Sequence, residues 1–567
     1  MSLIGALNIG KSALAVSQAQ LQVTGNNIAN AGNADYTRQR AEVSTSKDQM
    51  IRHGVFLGTG VKLDAVSRQI DEALEGRLRA SISDSKAADT TESWLSRVES
   101  VFNELGDEDL STEMSQFFAS WSNLANKPQD AGLRQIVLQN AETLAGGFKN
   151  LKTDMEGLRS DIADRLGAMT IDANQLANTV AKLNKEIVLS EAGTGGQDGG
   201  LRDQRDASLK KLSEMMDIRT LEQPNGSVTV FVGNEPLVMN STNRGLTVKT
   251  ETIDGKFNTS VVFKDNNGPV EAKGGQIGAL SGVRDTIDGT AERLDSLAGN
   301  LIYEVNKLHG SGSGLNKLAR VTATNAVDDS TLALNDPEAN LAFTPTTGSF
   351  VVHVKEKATG LTTSTLVKVD LDGLNADDTT LTSLAADLAG ISGLQVSTSG
   401  NKLDIAAASN AVEFSFSSDT SGALASLGVN SFFTGRGAFD MGVNAVVKAN
   451  PNLLAASQNG EPTDNGIARS IAGLESAAVS SLNGSTLKDS YQSMVNNVAV
   501  ITADAKAESE ASRVVYDTLF NQREALSGVS MDEEAINLMR QQRAFQGASR
   551  LISVVNELMD QVMGLVR

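Results

Sequence analysis

Residues 531–567 read MDEEAINLMRQQRAFQGASRLISVVNELMDQVMGLVR, a run without proline in which apolar residues recur at intervals of seven. One heptad position is apolar throughout: Leu538, Phe545, Ile552, Met559 and Val566. This spacing places one apolar stripe along a helix, as in coiled coils. Acidic residues 532–534 begin the run and Arg567 ends it, the order that the helix dipole favours. The C-terminus is therefore predicted to be a long helix that packs its stripe on a partner.

The N-terminal residues repeat this heptad pattern on two faces of one helix. The first stripe comprises Leu7, Leu14, Leu21 and Ile28. The second comprises Ile9, Val16 and Val23, two residues further along and so about 200° around the helix. One partner helix covers only one face, so the other needs a second neighbour, in the same subunit or in the next. These stripes and the C-terminal stripe form the predicted subunit and chaperone interface.

The interior of the chain has a different pattern. Helical periodicity covers residues 62–105, 112–126, 132–190, 201–216, 285–309 and 485–526. Alternation of apolar and polar residues predicts strands at 227–232, 348–354, 365–371, 394–399, 402–407 and 412–417. We therefore predict a multidomain α+β protein, with a long α-helical, coiled-coil-like core formed by the N- and C-terminal segments and β-rich domains inserted in the middle.

The predicted domains follow from these patterns. Terminal axial helices cover 1–35 and 530–567, a helical core covers 36–218, 277–320 and 440–529, and β-rich insertions cover 219–276 and 321–439. Burying the five residues of the C-terminal stripe contributes about 8 to 15 kcal/mol. Ordering about 35 backbone residues costs about 1 to 2 kcal/mol each before hydrogen bonding. We therefore expect the terminal helices to be disordered in the free subunit.

Composition excludes several function classes. The 567 residues include 49 basic and 69 acidic side chains, a net charge of −20 that argues against nucleic acid as a partner. The chain has no cysteine, so it forms neither disulfides nor thiolate metal sites. The N-terminus lacks the pattern of a cleaved signal peptide, and no apolar run reaches 18 residues. We expect no membrane insertion.

Motifs for chemistry are weak. Residues 5–12, GALNIGKS, fit the P-loop string, but two of them belong to the helical stripes, whereas a P-loop needs a preceding strand. His53, His309 and His353 are far apart and lack the spacing of metal ligands. The acids in residues 370–373 are too few for an EF-hand and predict a surface turn. We predict no catalytic, cofactor-binding or metal site.

Residues 23–40, VTGNNIANAGNADYTRQR, resemble the N-terminal signature of flagellar axial proteins, the family of rod, hook and hook-associated proteins. The matching residues are Gly25, Asn26, Asn27, Ile28, Ala29, Asn30, Tyr36, Arg38 and Gln39. The Pro-Gly turn usual in that family is replaced by residues 32–35, GNAD, whose Asn and Asp also tolerate tight turns.

Further segments resemble the hook-associated members of the family more than its hook or rod proteins. They are LRDQRDASLKKLSEMMDI at 201–218, GGQIGALSGVRDTI at 274–287, VNKLHGSG at 305–312, LGVNSFFTG at 427–435 and the C-terminal stretch 526–566. Their order spans the chain. The alternatives are a hook or distal-rod protein of the same family, or an enzymatic module displayed by the insertions.

The resemblance implies a structural, non-enzymatic subunit that joins the flagellar hook to the filament outside the cell. It implies export as an unfolded chain through the flagellar type III channel, without a cleaved signal peptide. The implied partners are further copies of the same chain in a ring, the hook protein, a second hook-associated protein on the filament side and a cytoplasmic export chaperone on the C-terminal helix. No cofactor is implied.

Overall fold

A computed structural model describes residues 3–102, 109–193, 196–253, 256–375 and 377–565. Within them lie the α-helices α1 (Leu3–Ala29), α2 (Glu72–Phe102), α3 (Leu110–Asn126), α4 (Ala131–Glu191), α5 (Gly199–Met215), α6 (Gly275–Gly310), α7 (Leu381–Ala389), α8 (Ala423–Leu427), α9 (Ala445–Ala449), α10 (Gly466–Gly473), α11 (Leu487–Ser527) and α12 (Met531–Leu565).

The strands of the same residues are β1 (Gln39–Thr45), β2 (Gln49–Arg52), β3 (Val55–Leu57), β4 (Val61–Arg68), β5 (Ile218–Glu222), β6 (Val228–Val232), β7 (Glu235–Met239), β8 (Thr242–Asn243), β9 (Leu246–Ile253), β10 (Lys256–Phe263), β11 (Arg320–Thr322), β12 (Gly348–Glu356), β13 (Thr362–Val369), β14 (Leu394–Ser399), β15 (Lys402–Ala407), β16 (Val412–Ser417), β17 (Phe433–Thr434) and β18 (Gly442–Val443). The paired strands are all antiparallel. Long helices at both ends and β-rich segments between them confirm the predicted fold class.

The chain divides into two compact units. Unit 1 comprises residues 1–94, 161–283 and 503–567, and unit 2 comprises residues 95–160 and 284–502. Each unit is assembled from segments distant in sequence, because the chain leaves and re-enters it.

Unit 1 contains both terminal helices. Its sheets are the pair β1–β4, the hairpins β2–β3 and β9–β10, and the four-stranded β5-β6-β7-β8. The helix predicted to begin at residue 62 begins at Glu72 instead. Residues 61–68 form β4 because they pair with β1 along its whole length, from Gln39 opposite Arg68 to Thr45 opposite Val61.

Unit 2 contains two three-stranded sheets, β13-β12-β16 and β11-β15-β14, and the small pair β17–β18. Alternation in β12 buries Phe350 and Val352 on one face, where they pack with Phe414 and Phe416 of β16. Every strand predicted in this part of the chain is present. In β12 and β13 the alternating sequence matches burial on a single face, whereas consecutive residues are buried in β15 and β16.

Among the described residues, no helix is both long enough and apolar enough to cross a membrane.

Candidate functional site: the paired terminal helices

The terminal helices α1 and α12 pack against each other within unit 1. Thr24 Oγ1 donates a hydrogen bond to Gln541 Oε1 at 2.9 Å. At the other end, a Cβ on Gly10 would lie 2.8 Å from Ile552 Cγ1, so glycine allows the closest approach. Contacts that ascend along α1 descend along α12, and the two helices are therefore antiparallel.

The predicted stripe residues lie on and beside this contact. Half-buried are Leu7, Ile9, Leu14, Leu21, Val23 and Ile28 on α1 and Leu538, Phe545, Ile552 and Met559 on α12. Val16 on α1 and Ala548 and Val555 on α12 are fully buried. Val566 lies outside the described residues. The α12 stripe therefore has a partner helix within its own chain.

The second apolar face of α1 also has a neighbour in unit 1. Strands β1 and β4 pack on α1. Gly60, the residue just before β4, lies so close to α1 that a Cβ on it would be 3.4 Å from the Cα of Ile9. The β1–β4 pair thus supplies the second neighbour that the two-sided pattern requires, and it does so inside the subunit.

Asn27 is the centre of the signature's hydrogen bonds. It is 2% exposed, and both polar atoms of its side chain are satisfied. Its Nδ2 donates to Gln39 O at 2.9 Å and to Glu534 Oε2 at 3.1 Å. Its Oδ1 accepts from the Tyr36 hydroxyl at 2.8 Å and from Gln39 N at 3.0 Å. One amide therefore joins α1, the turn after it and the first turn of α12.

Arg38 makes a second link between the signature and α12. Its guanidinium donates to Glu534 Oε1 at 2.7 Å and to Glu533 Oε2 at 2.8 Å. Burial lowers the pKa of Arg38, but the bonds to the two glutamates outweigh it and hold that pKa above its ordinary value. Glu534 is 2% exposed, so its charge is shielded from water and paired.

The signature also contacts the Asp-Gln-Arg-Asp segment of α5. Thr37 N donates to Asp203 Oδ2 at 3.2 Å, and Arg68 Nη1 donates to Asp203 at 2.9 Å and to Asp206 at 2.7 Å. Burial raises the pKa of Asp203, although its hydrogen bonds to Arg68 and Thr37 oppose the rise. Burial, together with the negative charges of Asp203 and Glu534, raises the pKa of Tyr36 to about 12, so its hydroxyl remains a donor.

The other signature residues have different surroundings. Gly25, Asn26 and Ala29 are exposed on α1, and Asn30 donates to Asn26 O at 2.9 Å just after that helix. The structure therefore brings Asn27, Tyr36, Arg38 and Gln39 together, while Ile28 is half-buried on α1. Asn26 joins this group from the surface, because its Nδ2 donates to the Tyr36 hydroxyl at 3.4 Å.

Sequence spacing did not identify the partners of these residues. Glu534 reads only as an acid at a helix start, yet it binds Asn27 and Arg38 across about 500 residues of chain. Asp203 belongs to a recognised segment, but nothing in the sequence places it against Thr37. The available signal was the presence of both motifs in one chain.

A third feature of α12 is an apolar row on its solvent face. Leu551, Val554, Leu558 and Val562 are 40%, 51%, 43% and 49% exposed. Their spacing of three and four residues puts them on one side of the helix. Leu551 also lies near α1, because its Cδ2 would be 3.7 Å from a Cβ on Gly10.

The remaining motifs have ordinary structural roles. Residues 5–12 lie inside α1, so their backbone groups belong to a helix and do not form a phosphate-binding loop. His53 is exposed in the β2–β3 turn, and His353 lies between two serine hydroxyls, each at 2.7 Å. In the predicted turn, Asp372 accepts from Leu374 N at 2.8 Å and Asp378 accepts from Gly373 N at 3.0 Å.

His309 in unit 2 is a fully satisfied core residue. Its Nδ1 donates to Asn430 O at 2.8 Å, and its Nε2 accepts from Ala455 N at 3.0 Å. Burial lowers the pKa of His309 to about 4. The ring is therefore neutral, and these two hydrogen bonds fix the tautomer that carries its proton on Nδ1.

Two segments match known families. Residues 95–320 match the flagellar hook-associated protein FlgK helical domain. Residues 522–565, which include α12, match the flagellar basal body rod FlgEFG protein C-terminal domain. Both matched segments are therefore similar to domains of flagellar axial proteins.

Full-length relatives narrow this class. The chain is 24% identical over 580 residues to flagellar hook-associated protein 1 of Escherichia coli (strain K12), covering 99% of both chains. It is 24% identical over 567 residues to the Bacillus subtilis (strain 168) protein of the same name, covering 98% of this chain and 97% of that one. Over almost its whole length the chain is similar to flagellar hook-associated proteins.

A solved structure shares the fold. The flagellar hook junction protein FlgK from Burkholderia pseudomallei matches with a TM-score of 0.52 and 15% identity, covering 80% of this chain and 100% of that chain.

Proposed function

We propose that this chain is a structural subunit of the bacterial flagellum that joins the hook to the filament. The observation that carries the proposal is the antiparallel pair of α1 and α12, locked by Asn27 and Arg38, with an apolar row exposed on α12. The relatives named for the hook and its associated proteins support the same role.

The exposed row of α12 provides the physical reason for assembly. Four large apolar side chains on one helical face favour burial against a further surface. Each contributes about 1.5 to 3 kcal/mol when fully buried. In this proposal adjacent copies cover the row and form a ring, which contacts the hook protein on one side and a second hook-associated protein on the other.

Several further properties belong to the proposal. The working site is extracellular, and the chain acts without catalysis. Before export, a cytoplasmic chaperone covers α12, whose exposed apolar row would otherwise self-associate. The chain arrives unfolded, and the terminal segments 1–35 and 530–567 become fully ordered only when neighbours cover them. The insertions 219–276 and 321–439 are independent of the axial contact.

Deletion of the gene tests the proposal. We expect hooks to remain on the cells while filament subunits are shed into the medium, because the filament has nothing to attach to. Electron microscopy counts the hooks, and immunoblotting of the medium detects the filament subunit. Loss of the hook itself would favour a hook or distal-rod role, and normal filaments would reject both roles.

A further inference from the structure

Two pairs of charged residues lie on the exposed surface of α12. Arg540 and Arg543 form a basic pair, and Glu557 and Asp560 form an acidic pair. All four side chains are exposed, and none bonds to another described residue. By contrast, Glu533 and Glu534 of α12 form ion pairs with Arg38 within the same chain.

The two pairs have the same internal spacing. Each contains residues three apart, which lie on one side of a helix. A second copy of α12, parallel and displaced by 17 residues, would place Arg540 beside Glu557 and Arg543 beside Asp560 at once. The displacement corresponds to about 26 Å along the axis. Within one helix the same distance is far beyond the reach of an ion pair, so these pairs can meet only between copies.

The two pairs also point in different directions. At 100° per residue, the centre of the basic pair lies about 100° around the helix from the centre of the acidic pair. A two-fold contact uses the same patch on both copies, whereas this arrangement joins one patch to a different patch. Such heterologous contacts continue from copy to copy, into a ring or a helical array.

The composition of the terminal helices shows which of the two can supply acidic side chains to a contact between copies. α1 contains no Asp or Glu. Carboxylates in a contact between terminal helices must therefore come from α12.

We propose that α12 of one copy binds α12 of the next, with Arg540 and Arg543 paired to Glu557 and Asp560 of the neighbour. This inference rests on the proposed function, in which the terminal helices form the subunit contact. It adds the partner surface, the register and the direction of the contact.

Charge reversal tests the pairing in cells that lack the native gene. The first variant is Arg540→Glu with Arg543→Glu, the second is Glu557→Arg with Asp560→Arg, and the third combines all four changes. We expect each double variant to lose attached filaments and to shed filament subunits into the medium. The fourfold variant restores complementary charges between copies, so we expect filaments to return.

Controls separate this contact from general charge effects. Arg513→Glu reverses an exposed arginine on α11 and should leave filament number unchanged. The amounts of each variant in the medium and in the cell show that export still occurs.

The possible outcomes distinguish the inference from the function beneath it. Full filaments in both double variants, in cells where the gene deletion sheds filament subunits, would overturn the pairing and leave the hook–filament role intact. Failure of the fourfold variant to recover beyond the double variants would also overturn it. Normal filaments in the deletion strain would instead remove the proposed function.

Discussion

At the scale of single residues, the ion pair between Arg68 and Asp203 is buried and joins β4 to α5. The two side chains are 6% and 9% exposed. Breaking a buried pair by removing one partner costs about 3 to 5 kcal/mol, because the other charge stays buried without compensation. We therefore expect Arg68→Met to lower the free energy of unfolding of the purified chain by that amount in urea titrations.

Lys62→Met is the matched control for that change. Lys62 pairs with Asp64 on the same two-stranded sheet, but its side chain is 60% exposed. Exposed pairs contribute about 0 to 1 kcal/mol. Equal losses in the two variants would show that the Arg68 contact is not a structural link.

His309 predicts a pH dependence of stability. Burial lowers its pKa from 6.5 to about 4. Between these values the unfolded chain binds a proton and the folded chain does not, so stability falls as the pH decreases from 6.5 towards 4. At about 1.4 kcal/mol per unit of pKa, the loss reaches about 3 kcal/mol.

Unfolding curves at several pH values measure this effect in the wild type and in His309→Gln. We expect the glutamine variant to have a flatter pH profile over that range, while His53→Gln, at an exposed position, keeps the wild-type profile. Parallel profiles for the wild type and His309→Gln would contradict the assignment.

At the scale of elements, Gly10 sets the distance between α1 and α12. A Cβ there meets Ile552, whereas a Cβ on Gly25 of the same helix meets nothing within 4 Å. We expect Gly10→Val to force the helices apart and reduce the number of attached filaments, because close packing leaves no room for a branched side chain. The identical change Gly25→Val should retain them. Equal filament counts would show that the approach of the helices is not required.

Periodicity predicted α12 and the strands of unit 2, because α12 has a regular apolar stripe and the strands alternate apolar and polar residues. The predicted helix at 531–567 is present as Met531–Leu565, and the strand VEFSFS is β16. The β1–β4 pair was missed because β4 has no alternating burial and its helix-like spacing continued into α2. Its position on α1 depends on pairing between strands about 20 residues apart, which no local pattern contains.

The sequence predicted the candidate site only in part, because local spacing does not specify tertiary contacts. The stripes and the signature located the contributing segments, and the structure shows which members meet. Asn27 and Asn30 occupy equivalent places in the sequence motif, but only Asn27 is buried against Glu534. That difference arises from tertiary packing, which the spacing of three residues cannot specify.

At the scale of the whole molecule, the terminal helices and the largest sheets belong to different compact units. The ends of the chain meet in unit 1 through α1 and α12, and the sheets β13-β12-β16 and β11-β15-β14 have their own apolar core in unit 2. A net charge of −20 keeps free copies apart, so specific contacts between terminal helices must overcome general repulsion. We therefore expect assembly to depend on α12 more than on the insertions.

In the proposed assembly, neighbouring copies cover α12 and complete its ordering. Hydrogen exchange of the backbone amides of residues 531–565, compared between the free chain and isolated hook–filament junctions, tests it most directly. We expect fast exchange in the free chain and strong protection in the junction, with the largest change at 551–562. Strong protection in the free chain, unchanged on assembly, would contradict it.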